Sequence, residues 1–68
     1  MSKELPFLVH CIEEYKLCKG MTGEDVVKLF NLYAVCEYIK EFYEVLHTTG
    51  VQYIIDDIDH YIESRKTA

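Results

Sequence analysis

The amino-acid sequence predicts an all-α fold: a small single-domain bundle of four helices over about residues 4–19, 22–33, 35–47 and 50–65. Three observations predict it. Apolar residues recur at three- and four-residue steps in four successive segments. Helix-start and helix-stop residues separate those segments. The one β-rich stretch, Val51 to Ile55, has no second strand-like segment to pair with.

The first helix, Glu4 to Lys19, begins with Pro6 in its first turn, where a missing N–H leaves no bond unmade. Leu8, Cys11, Ile12, Tyr15 and Cys18 trace its apolar stripe. Lys16 and Lys19 meet the negative end of the helix dipole, and Gly20 suits the left-handed residue that ends a helix. Thr22 opens the second helix, because its hydroxyl can accept from the backbone N–H of Asp25 while Asp25 reaches back. Val26, Val27, Phe30 and Tyr33 form the stripe of that helix. Between Leu32 and Val35 the stripe changes phase, through a short turn or a bend in a continuous helix.

The third helix, Val35 to His47, turns Tyr38, Ile39, Phe42, Val45 and Leu46 inward, with Glu37, Lys40, Glu41 and Glu44 outside. Thr48-Thr49-Gly50 then breaks the chain, and Thr49 with Gln52 makes a second capping-box pair. In the last segment Val51, Ile54, Ile55, Ile58, Tyr61 and Ile62 keep a helical stripe for three turns, which outweighs the local β propensity. Loops this short impose antiparallel or steeply crossed neighbours around one core.

With half of its 68 residues apolar and 28% charged, the chain can bury enough surface to fold. So short a chain has a thin stability reserve, which keeps a homo-oligomer open as an alternative. Cys11, Cys18 and Cys36 are odd in number, lack a preceding signal peptide and lie on apolar stripes, so buried thiols in a reducing cytoplasm are expected. No apolar run is long enough to span a membrane. The charge of −5 is uneven: residues 35–68 carry three basic side chains against seven acidic ones. That balance disfavours phosphate backbones and suits a basic protein partner.

No constellation in the sequence points to catalysis. His10, Cys11, Cys18, Cys36, His47 and His60 show none of the close ligand pairs that short zinc domains use, so no metal or cofactor is expected. The thiols lack the electropositive, exposed setting of a nucleophile. Asp56, Asp57 and Asp59 echo a calcium loop but lack its central glycine and terminal glutamate. Residues 22–47 can be drawn as a helix-turn-helix, but the helix that would read DNA offers Glu37, Glu41 and Glu44 against Lys40 alone.

Surplus surface chemistry remains. Six tyrosines and three phenylalanines exceed what so small a core encloses, and half-buried tyrosine suits a binding surface. Tyr43 and Tyr53 lie at the margins of their stripes, and Leu17 projects onto the polar side of the first helix. Asp56, Asp59 and Glu63 share one helical face. These six, Leu17, Tyr43, Tyr53, Asp56, Asp59 and Glu63, are the expected partner contacts.

The order of segments Phe7 to Tyr15, Thr22 to Phe30, Tyr38 to His47 and Tyr53 to Ile58 resembles a family of short bacterial proteins of unassigned function. The stretch from Phe42-Tyr43 to His47 is the most specific part of that likeness. Members of that family are often encoded beside ADP-ribosyltransferase-like toxins, and the resemblance therefore implies an antitoxin or accessory role; it brings no catalytic residues. The expected function is a cytoplasmic protein–protein interaction module, whose partner could be a toxin with a basic cleft. A helix-turn-helix DNA-associated regulator and a structural homodimer stand as alternatives.

Overall fold

The computed structural model describes residues 3–67, and every regular element in them is helical. Helix α1 runs Glu4–Lys19 and α2 runs Gly23–Leu32. They are followed by α3 (Val35–Glu41), α4 (Tyr43–Leu46) and α5 (Val51–Lys66). Helix α1 packs against α2, α3 and α5, and α3 closes onto both α2 and α5.

The stop and start signals work largely as read. Gly20 adopts φ 65° and ψ 34°, and its N–H bonds to the Lys16 carbonyl, ending α1 in a left-handed turn. Thr22 is extended, and its Oγ1 accepts the Asp25 N–H at 3.1 Å. At the other expected cap the hydroxyl turns backwards: Thr49 Oγ1 donates to the Leu46 carbonyl at 2.8 Å, leaving Gly50 to cap α5 without a side chain. The Gln52 amide bonds instead to Asp56 Oδ1, one helical turn onward. The phase change after Leu32 is a true turn, made by Ala34 in the left-handed region at φ 57°.

The expected third helix is two helices. Phe42, at φ −103° and ψ 21°, interrupts it, so the described residues hold five helices, four of them seven residues or longer, in the expected small all-α bundle. The spacing of Ile39 and Leu46 would suit a straight helix equally well. A contact to α1 distinguishes the two: Tyr43 packs edge-on against Phe7, with ring centroids 5.3 Å apart, while Leu46 stays in the core.

One core cluster unites all five helices: Leu8, Cys11, Tyr15, Val26, Phe30, Val35, Ile39, Leu46, Ile54, Ile55, Ile58 and Ile62. It is narrower than the stripes suggested. Val27, Phe42, Val45 and Val51 are exposed, as is Cys18, and Cys36 is half-buried. Only Cys11 is the buried thiol expected of all three, and burial pushes its pKa up to about 11. The reason is geometric. Positions at the edge of each apolar stripe lie outside the core cluster and stay wet. Among the described residues no helix is long and apolar enough to cross a membrane.

Candidate functional site

Helix α5 carries a buried isoleucine ridge, and an aspartate flanks that ridge on each side. On the α1 side Asp59 is engaged twice. Tyr15 Oη donates to its Oδ1 at 2.7 Å, and Lys19 Nζ pairs with its Oδ2 at 2.5 Å. The Lys19 ammonium also lies 5.6 Å from the Tyr15 ring centroid. Carboxylate, hydroxyl and ammonium thus close into a small triad that ties α5 to α1 across forty residues of sequence. Burial first, and then the Asp59 hydrogen bond and charge, raise the Tyr15 pKa above its ordinary value. Its own hydrogen bond to Asp59 raises that of Lys19.

On the α3 side Asp57 repeats half of this arrangement. Tyr38 Oη donates to Asp57 Oδ2 at 2.5 Å, and burial followed by that bond raises the Tyr38 pKa. Neighbouring Tyr53 and Tyr61 contribute in the same direction. Tyr38 stacks on Tyr61 with centroids 4.1 Å apart and meets Phe42 at 4.9 Å. Tyr53, Asp57 and Tyr61 follow one another at four-residue steps on α5, while Tyr38 lies on α3 and Phe42 four residues later at the break between α3 and α4. Tyr61, Tyr38 and Phe42 make an aromatic seam of touching rings, Asp57 is bonded into it through Tyr38, and Tyr53 sits at its margin one helical turn before Asp57. Two of these rings face solvent: Tyr53 is 56% exposed and Phe42 43%.

The six expected contact residues do not form one surface. Asp56, Asp59 and Glu63 do share a side of α5, but Asp59 is held by Tyr15 and Lys19, and Glu63 lies 3.4 Å from Lys66. Asp56 accepts from Gln52 and stays exposed. Tyr43 is half-buried between partners of its own. His47 stacks on it at 4.5 Å, Phe7 meets its edge, and Lys3 lies 5.7 Å from its centroid. Leu17, on α1, is 69% exposed. Tyr53 is the one at the margin of the seam, one helical turn before Asp57.

Sequence reasoning passed over Phe42, Tyr38 and Asp57. The first two sit on an apolar stripe that a straight helix would bury. The signal available was the pairing of two four-residue steps, Tyr38 with Phe42 and Tyr53 with Asp57, but nothing local matches one to the other. Leu32, at 73% exposed, is another large apolar side chain left in water at the end of α2. No group of three or more metal-ligating side chains gathers among the described residues.

A model of the family described as "Protein of unknown function (DUF3791)" matches residues 6–65, from the first turn of α1 to the last turn of α5. No curated protein and no solved structure gives a match.

Proposed function

This chain belongs to that family of unknown function, and we propose that it acts as a protein-binding module with no chemistry of its own. Exposure of Tyr53 and Phe42 on the rim of an otherwise ordered aromatic seam carries the reading. The Phe42 ring is held against Tyr38, so it loses little freedom on binding, and tyrosine and phenylalanine are favoured at protein interfaces. The charge of −5 favours a basic partner.

The resemblance to short bacterial proteins encoded beside ADP-ribosyltransferase-like toxins supports a finer form of the proposal. The partner is then such a toxin, and this chain is its cytoplasmic antitoxin. Tagged chain purified from its native host should retain one stoichiometric partner, identified by mass spectrometry. The purified pair should re-form with a Kd that Tyr53→Ala weakens. A chain that retains nothing above an equally acidic control protein would sink the binding role.

A further inference from the structure

We propose that the α3–α5 seam docks a basic, amphipathic segment of another protein, whose lysine or arginine completes at Asp57 what Lys19 completes at Asp59. The proposal rests on the protein-binding reading and names the chemistry of its partner. The two flanks of α5 support it by comparison. At Asp59 a tyrosine hydroxyl takes one carboxylate oxygen, an ammonium takes the other, and that ammonium also lies over the tyrosine ring. At Asp57 the tyrosine hydroxyl is present on Oδ2. Among the described residues, however, no cation pairs with Asp57 and none lies over Tyr38 or Tyr53.

The seam already accepts a cation at one end, where the Arg65 guanidinium lies 5.9 Å from the Tyr61 centroid. A carboxylate beside exposed aromatic faces attracts a cation through both charge and ring quadrupole. Phe42 and Tyr53 supply the apolar contact that an amphipathic segment would cover. A second copy of this chain fits the seam less well, because two molecules of charge −5 repel.

The test is an NMR titration of the isotope-labelled chain with a helical peptide of lysine and leucine, beside a peptide with glutamate in place of lysine. The lysine peptide should shift the amides of Tyr38, Phe42, Tyr53, Asp57 and Tyr61, and the glutamate peptide should not. Asp57→Asn can still accept from Tyr38 and should weaken the lysine peptide about tenfold, the order expected when a partly exposed ion pair is lost. Asp25→Asn removes the same charge from α2 and should change affinity less than about twofold. Tyr53→Ala alters only an exposed ring, so it keeps the fold and should also weaken binding.

Equal weakening by Asp57→Asn and Asp25→Asn, or shifts centred on Leu17 and Leu32, would overturn the cation site. Either result leaves the binding role to be decided by the native-host purification. Self-association in sedimentation experiments that protects Tyr53 would overturn the proposal in favour of a second copy.

Discussion

A packed tyrosine must place its hydroxyl somewhere, and Tyr15 of α1 and Tyr38 of α3 each place it on an aspartate of α5. Tyr15→Phe removes one such bond and leaves Asp59 with Lys19 alone. Because the acceptor is charged but about a third exposed, the loss should be about 1–2 kcal/mol in urea unfolding. Tyr53→Phe, whose hydroxyl is in water, should stay within about 0.5 kcal/mol.

The pH dependence follows from the same triad. Tyr15 and Lys19 are both raised in the folded state, so the native chain holds these protons more tightly than the unfolded one. Their contribution is whole below the ordinary values near 10.0 and 10.5 and is lost as pH rises through the higher folded values. Cys11, raised from 9.0, and Tyr38 add to this in the same direction, so stability should fall with increasing alkalinity above about pH 9, and less steeply beyond about pH 10 in Tyr15→Phe. Urea midpoints on either side of pH 10 that move equally in both proteins would contradict the triad as the cause.

At the scale of elements, the two-residue connection of α2 to α3 places a non-glycine residue in a strained region. Ala34 at φ 57° carries a penalty of about 1–2 kcal/mol that glycine would not. Glycine gives back part of that through its freer unfolded chain. Ala34→Gly should therefore raise stability by about 0.5–1 kcal/mol, read as a higher urea midpoint with an unchanged slope. The break at Phe42 has a different origin. It lets α4 turn Tyr43 onto Phe7, and it leaves the Phe42 ring half in water beside Tyr38.

Over the whole molecule, the radius of gyration of 11.2 Å matches the roughly 11 Å expected of a globule this long. Among the described residues twelve buried side chains form the interior cluster, and Tyr53 and Phe42 lie outside it. The margin is small. A chain of this length typically holds about 3–10 kcal/mol in total, and emptying the wholly buried Phe30 position costs about 3–5 kcal/mol. Phe30→Ala should leave a large unfolded fraction at 37 °C by far-UV circular dichroism. A melting temperature within a few degrees of the parent's would mean that the core is not the single cluster described.

The sequence by itself determined the helical class, the ends of most helices and the isoleucine ridge of α5. Those depend on residues within a few positions of one another: Gly20 with Lys16, Thr22 with Asp25, and Ile54, Ile55, Ile58 and Ile62 on one stripe. Tertiary structure alone decided which carboxylates are occupied and which rings stay wet. Asp57 and Asp59 look alike in sequence, two positions apart on one helix. A helix turns about 200° over that interval, so one meets Tyr15 and Lys19 of α1 and the other meets Tyr38 of α3. Which helix lies on which flank depends on the packing of distant segments, and no local pattern of residues encodes it.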